Sequence, residues 1–160
     1  MPTTQSRIND FVLKIATVNG TGSASANGLI MKALFRMGIP VTGKNLFPSN
    51  IQGLPTWYEV RANRDRYMSR SGRVDIMVAM NAQTYQKDLA EVSPGGFLVC
   101  EEHLVTTAEV IGPSNPAFRV RPGELREVAS GLQIRFMQEG IIEEPDGRPA
   151  ALARLVAERP

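Results

Sequence analysis

A glycine-rich turn near the N-terminus carries residue types that suit an anionic ligand. Gly20, Thr21, Gly22 and Ser23 join an apolar run to a helical pattern, and Ser25 follows within its first turn. The backbone N–H groups of such a turn and the positive end of a helix favour a phosphate or a carboxylate. Ser25 stands where the dinucleotide-binding fingerprint has its third glycine, and the P-loop lysine is missing. A tight turn that binds nothing explains the pattern equally well.

A second polar group follows the next predicted strand and contains Lys44, Asn45, Ser49 and Asn50. Loops that follow the strands of an α/β sheet gather at the carboxyl edge, where ligands bind. The second group is therefore expected to face the glycine turn. The alternative is an ordinary connection rich in proline and asparagine, without a ligand.

Other reactive side chains do not form a recognisable catalytic set. Neighbouring strand residues point to opposite faces, so Cys100 and His103 do not pair as nucleophile and base, and Glu101 and Glu102 complete no metal site. The chain has one histidine, His103, and the sequence shows no Ser/His/Asp set assembled around it. We expect no catalytic residue and no bound metal.

A run of arginines between residues 61 and 73 surrounds Tyr67. Such a run could hold phosphate or single-stranded nucleic acid. A solvated hairpin explains it more simply, and we predict no nucleic-acid partner. Trp57 and Tyr58 are interpreted as packing residues of a strand.

Apolar periodicity and turn residues predict an α/β fold, a three-layer Rossmann-like sheet that is mostly parallel and ends in an antiparallel hairpin. The first predicted helix repeats apolar residues at helical spacing, namely Ala26, Leu29, Ile30, Ala33, Leu34 and Met37. The predicted strands cover 11–18, 39–46, 57–61, 73–80, 97–100, 132–143 and 150–157, and the predicted helices cover 24–37, 83–92 and 124–130.

The composition is that of one globular domain. The chain has 160 residues, 42% hydrophobic and 21% charged, and one cysteine. It has no apolar run of membrane-spanning length and no signal-peptide pattern, so we expect a single cytoplasmic α/β domain over 1–160 without a membrane partner. The charge changes near Gly95. Residues 1–95 have 11 Lys and Arg against 6 Asp and Glu, net +5, whereas residues 96–160 have 7 against 10, net −3.

Residues 10–99 resemble a known family. The segments NGTGSASANGLIMKALFRMGIPVTGKNLFPSNIQGLPTWYEVRAN and SGRVDIMVAMNAQTYQKDLAEVSPGGFLV are similar to the gamma domain of 2-oxoacid:ferredoxin oxidoreductases, above all the form fused to the alpha subunit of 2-oxoglutarate-type enzymes. The resemblance implies a domain that packs against other subunits and receives coenzyme A. Thiamine diphosphate and iron–sulfur clusters would belong to those subunits. By this resemblance, Gly20–Ser25 and Lys44–Asn50 become candidate contacts for coenzyme A or for a neighbouring domain.

Residues 94–160 resemble a different family. GGFLVCEEHL, GPSNPAFRVRPGELREVASGLQIRFMQEGIIEE and RPAALARLVAERP are similar to the C-terminal part of a class I S-adenosylmethionine-dependent methyltransferase of the tellurite-resistance-like kind. The two resemblances meet in SPGGFLV, beside the change in charge. They predict a chimera of a gamma-like part, 1–95, and a methyltransferase-like part, 96–160.

Three hypotheses follow from these resemblances. The chain is a non-catalytic gamma-type module that binds coenzyme A or docks onto oxidoreductase subunits, or a recombined scaffold without activity of its own. The alternative is a methyltransferase-like enzyme, which the missing S-adenosylmethionine loop disfavours. Self-association is also expected, because surfaces that have lost their partners leave apolar patches exposed.

Overall fold

The computed structural model describes residues 9–18, 23–46 and 55–160, and the chain forms two compact units, Met1–Ser93 and Pro94–Pro160. The α/β class and the C-terminal antiparallel hairpin are confirmed. Within the described residues, no helix is both long enough and apolar enough to cross a membrane.

The first unit has one strand, a helix, three successive strands and a second helix. A buried polar residue, Asn81, follows its last strand and donates a hydrogen bond from its amide to the Thr17 carbonyl at 3.4 Å. This bond ties the chain that leaves the last strand to the end of the first. The elements are β1 (Asp10–Val18), α1 (Ser23–Arg36), β2 (Val41–Leu46), β3 (Pro55–Asn63), β4 (Ile76–Ala79) and α2 (Tyr85–Glu91).

The strands of the first unit lie in the order β2-β3-β1-β4. β1 and β4 are parallel, whereas β3 is antiparallel to both β1 and β2. The register pairs Lys14 of β1 with Glu59 of β3, and Glu59 with Lys44 of β2. Directly paired residues point to the same face of a sheet, so these three charged side chains share one face.

Each helix of the first unit covers one face of this sheet. α2 lies on the face that carries Lys14, Glu59 and Trp57, because the Trp57 indole donates to Asp88 of α2 at 2.6 Å. α1 lies on the opposite face, where the Tyr58 hydroxyl is 3.8 Å from the Met31 sulfur. We call these the α2 face and the α1 face.

The second unit is an antiparallel sheet in the order β5-β7-β6. β7 lies between two strands and is buried along most of its length, which explains its nearly continuous apolar sequence. The turn between β6 and β7 contains Gly147 at φ 82°, a conformation that favours glycine. The elements are β5 (Phe97–His103), a 3-10 turn (Pro116–Phe118), α3 (Glu124–Val128), β6 (Gln133–Glu143) and β7 (Pro149–Glu158).

The sequence patterns located every described strand and α-helix, but not the 3-10 turn Pro116–Phe118. Each predicted strand and helix is present, and the largest differences are at the ends. β5 continues three residues beyond the predicted end, Cys100, because Glu101, Glu102 and His103 pair with β7. The hairpin agrees closely, since Pro145 and Gly147 define its turn.

Gly112 offers a test of packing within the second unit. Its φ is +130°, and a Cβ there would lie 2.6 Å from the His103 Nδ1 atom. We expect Gly112→Ala to destabilise the fold by about 2–5 kcal/mol, because backbone strain adds to steric overlap. Gly140→Ala has a comparable φ of +145° but no atom within 4 Å of the added Cβ, so it should cost only about 1–3 kcal/mol. Urea unfolding measures both, and equal losses would contradict the role of the His103 contact.

Candidate functional site

Both polar segments that the sequence analysis identified attach to one edge of the first sheet. The register pairs Val18, the last residue of β1, with Pro55, the first residue of β3. Leu46, the last residue of β2, pairs with Trp57 next to it. α1 begins at Ser23, five residues after Val18, where β1 ends. The chain therefore enters and leaves both segments at the carboxyl edge of β1 and β2, as the fold class predicts.

The described part of the predicted site consists of the residues that flank these segments. Ser23 is the first residue of α1, and Ser25 lies exposed in its first turn. Five predicted contacts lie outside the described residues: Gly20, Thr21, Gly22, Ser49 and Asn50.

Lys44 and Asn45 are exposed residues of β2 that point to opposite faces. Asn45 pairs with Tyr58, so its side chain lies on the α1 face, toward the helix that begins at Ser23. Lys44 pairs with Glu59, so its side chain lies on the α2 face. Neighbouring strand residues alternate in this way, and one ligand in contact with the α1 N-terminus is therefore nearer to Asn45.

A buried polar cluster, which sequence reasoning missed, lies on the α2 face. The Asp88 carboxylate is fully buried and accepts hydrogen bonds from the Trp57 indole and the Thr84 hydroxyl, each at 2.6 Å. Beside it, the buried Lys14 ammonium forms an ion pair with Glu91. The Lys87 ammonium lies 4.2 Å from the centre of the Trp57 ring.

The cluster explains Trp57 better than packing alone. A buried carboxylate is costly unless donors surround it, and the indole N–H is one of those donors. The spacing of Thr84 and Asp88, four residues apart on one helix face, was the available signal. It was ambiguous because an exposed helix shows the same spacing. All polar groups of the cluster are engaged by one another, so it holds structure together and offers no reactive group.

The arginine run is partly paired with carboxylates. Arg70 makes two hydrogen bonds to Glu59, at 3.1 and 2.9 Å, and Arg73 bonds Asp75 at 2.8 Å. Arg64 is exposed and contacts Asp65 at 3.4 Å. Arg64 and Arg70 nevertheless remain exposed, so the run is solvated over part of its length, and Arg61 and Arg73 are half-buried.

The Cys100–His103 segment forms no metal site within the described residues. Cys100 is buried, and Glu101 instead pairs with Arg154 at 2.5 Å across the sheet. Burial, and then the neighbouring Glu101 charge, raise the pKa of Glu102. No three His, Cys, Asp or Glu side chains come together in residues 9–18, 23–46 and 55–160.

Sequence comparison relates the chain to one family. The family model for pyruvate ferredoxin/flavodoxin oxidoreductase matches residues 12–143. The chain is 32% identical over 90 residues to 2-oxoacid:ferredoxin oxidoreductase 2, subunit alpha, from Aeropyrum pernix. That match covers 56% of this chain but only 14% of the relative. The chain therefore corresponds to a small part of that protein.

Solved structures are similar in fold. 2-Oxoglutarate:ferredoxin oxidoreductase from Magnetococcus marinus, with 2-oxoglutarate, coenzyme A and succinyl-CoA bound, has a TM-score of 0.53 and 23% identity, over 72% of this chain and 20% of that one. TehB from Haemophilus influenzae has a TM-score of 0.43 and 15% identity, over 59% of this chain and 37% of that one. The second likeness is too low to carry an argument for the methyltransferase-like part.

The Trp57–Asp88 hydrogen bond can be tested by its effect on stability. Trp57→Phe keeps an aromatic ring but removes a donor to a buried carboxylate, so we expect a loss of about 1.5–3 kcal/mol. Tyr58→Phe, the neighbouring residue on the opposite face, removes only a hydroxyl bonded to a thioether and should cost within about 0.5 kcal/mol. Urea unfolding at pH 7 compares the two. Equal stabilities would mean that the bond to Asp88 is unimportant.

Proposed function

The chain belongs to the pyruvate ferredoxin/flavodoxin oxidoreductase family, and on this premise we propose that it acts as a non-catalytic, gamma-type module of a 2-oxoacid:ferredoxin oxidoreductase. In this role it docks onto other subunits and contributes to binding coenzyme A. The family match over residues 12–143 supports the assignment, and the match to a subunit alpha supports the 2-oxoacid class.

The chemistry is assigned to partner subunits. An iron–sulfur cluster is held by several cysteine thiolates, and this chain has one cysteine, which is buried. The described carboxylates on the α2 face are engaged by Trp57, Thr84, Lys14 and Arg70. We therefore propose that thiamine diphosphate and the clusters lie elsewhere, and that the isolated chain has no activity of its own.

One observation carries the docking proposal: most of the apolar stripe of α1 lies to one side of the helix surface that packs on the sheet, and is exposed. Asn27, Met31 and Leu34 are the buried or half-buried residues of its middle. Leu29 and Met37, by contrast, are 64% and 72% exposed. With roughly 100° between successive residues, the apolar stripe is centred about a quarter turn from the packed side. The exposed stripe consists of Ala26, Leu29, Ile30, Ala33 and Met37.

An exposed apolar stripe on a regular helix is typical of an interaction surface. Leaving several large apolar side chains in water forgoes about 25 cal/mol for each Å² that burial would remove from solvent. A partner subunit would recover this free energy. In the absence of a partner, the same stripe accounts for self-association of the chain.

Coenzyme A is proposed as a ligand of the carboxyl edge. The N-terminus of α1 begins there, and Asn45 lies on the same face of the sheet. A helix of 14 residues directs N–H groups and a positive dipole end toward an anion. The similar Magnetococcus marinus enzyme was solved with coenzyme A bound, which supports the ligand class.

A recombined origin is a separate proposal. The change in charge near Gly95 and the resemblance of residues 94–160 to a methyltransferase support it. The family match, which continues to residue 143, supports a continuous family domain instead. A class I S-adenosylmethionine-dependent methyltransferase is kept as the alternative function, and a ligand test separates it from the module.

The docking surface can be tested with Leu29→Lys. We expect at least tenfold weaker binding to the remaining oxidoreductase subunits, because a charge would enter an apolar interface. The unfolding free energy should stay within about 0.5 kcal/mol, since Leu29 is exposed. Phe118→Ser, at a side chain of similar exposure (68%) in the second unit, is the matched control. Affinity measured by surface plasmon resonance that is unchanged in Leu29→Lys would refute this docking face.

The ligand proposal can be tested by thermal unfolding of the full chain. A ligand that binds only the native state adds about 2.7 kcal/mol of stability at 100 times its Kd, so coenzyme A should raise the unfolding midpoint. Asn45→Ala should reduce that rise, whereas Gln138→Ala on β6 should not. A rise with S-adenosylmethionine alone would favour the methyltransferase alternative. No rise with either ligand would count against coenzyme A binding by the chain.

A further inference from the structure

A small cavity of about 170 Å³ lies on the α2 face of the first unit, above β2 and β3. The register pairs Thr42 with Arg61, and Lys44 with Glu59, so these four side chains point from one patch of the sheet. The segment that follows β3 covers the patch with Ser69 and Arg70. Charged groups and hydroxyls therefore enter the cavity from the face opposite α1, beside apolar surface that includes Met68.

The charges around the cavity do not balance. Glu59 is 4% exposed, and both of its carboxylate oxygens accept hydrogen bonds from Arg70, so these two charges neutralise each other. Lys44 and Arg61 remain, and no ion pair to either is found among the described residues. The cavity thus retains an excess of two positive charges in a partly enclosed place, where electrostatic attraction is stronger than in bulk water.

The Arg61 guanidinium also has a buried N–H group without a hydrogen-bond acceptor. Its Nε atom is buried and has no partner, although buried polar groups are almost always bonded. The pKa of Asp10 is lowered mainly by the hydrogen bond from Asn63, with smaller contributions from the charges of Arg73 and Arg61. Arg61 therefore acts on Asp10 only from a distance.

We propose that this cavity binds a phosphate group, either as the inorganic ion or as part of a phosphate ester. Lys44 and Arg61 would supply the charge, and the hydroxyls of Thr42 and Ser69 would supply neutral donors. Guanidinium and ammonium groups are the side chains that bind phosphate oxygens most strongly, which matches this lining. The volume has room for a phosphate group together with ordered water, since one water occupies roughly 30 Å³ in the liquid.

The site is distinct from the coenzyme A contacts proposed at the α1 N-terminus. The side chains of Arg61 and Thr42 lie on the α2 face, near the start of β2. Asn45 lies near the end of β2 on the α1 face, and Ser25 lies in α1 itself. Lys44 alone belongs to both sets. Arg61 is therefore the residue whose substitution separates the two proposals.

Calorimetric titration of the full chain with inorganic phosphate at low ionic strength tests the site. We expect saturable binding of one phosphate per chain, weakened at least tenfold by Arg61→Gln. Arg64→Gln is the matched control, because it removes the same charge from an exposed arginine three residues away. No saturable binding, or equal weakening by both variants, would overturn the proposal, since the latter would reflect net charge alone.

Two further measurements keep the result interpretable. Lys44 is exposed, so Lys44→Gln should leave the fold intact. It removes one of the two unpaired charges and should therefore weaken phosphate binding, which tests the site even if Arg61→Gln alters the fold. If Lys44→Gln binds phosphate as tightly as the unmodified chain, the proposed site is wrong. Coenzyme A that competes with phosphate would mean that one of its own phosphates occupies this cavity, and absence of competition would exclude coenzyme A as the occupant. A coenzyme A response retained in Arg61→Gln leaves the proposed function intact whatever the phosphate result.

Discussion

Three charged side chains lie buried on the α2 face of the first unit, and the need to neutralise them determines what packs there. A charge removed from water is costly unless a partner or several donors replace the solvent. Lys14 and Glu59 lie on the strands, and their partners lie on α2 and on the segment after β3. Asp88 lies on α2 and accepts hydrogen bonds from Trp57 of β3 and from Thr84, so these contacts fasten both elements to the sheet. The contacts are Lys14 with Glu91, Glu59 with Arg70, and Asp88 with Trp57 and Thr84.

This arrangement gives the two faces of the first sheet different roles. On the α2 face, paired charges hold α2 and the segment after β3 to the sheet. Lys44 and Arg61 are not paired with a carboxylate among the described residues, so the cavity that they line carries an excess of positive charge. The α1 face is covered by a helix whose apolar stripe is turned outward. The proposed role as a module of a larger assembly requires both the paired charges and the exposed apolar stripe. It must hold itself together without its partners and still offer apolar surface to them.

The sequence predicted the fold more completely than the site. Strand and helix positions follow from apolar periodicity and from turn residues such as Gly38 and Gly147, which act over a few neighbours. The direction of β3 could not be read in this way, because pairing between strands depends on distant residues. For the same reason, Lys44 and Asn45 looked like one polar group, although alternation along β2 sends them to opposite faces.

The sequence by itself determined the α/β class and the family, because apolar periodicity and motif order do not depend on three-dimensional contacts. Only the tertiary structure decided which polar residues meet. Glu59 and Arg61 became part of a cavity through their register with β2, and Asp88 became buried through Trp57 on a distant strand. It also decided that the stripe around Leu29 is exposed, since the side of a helix that packs is selected by the sheet beneath it.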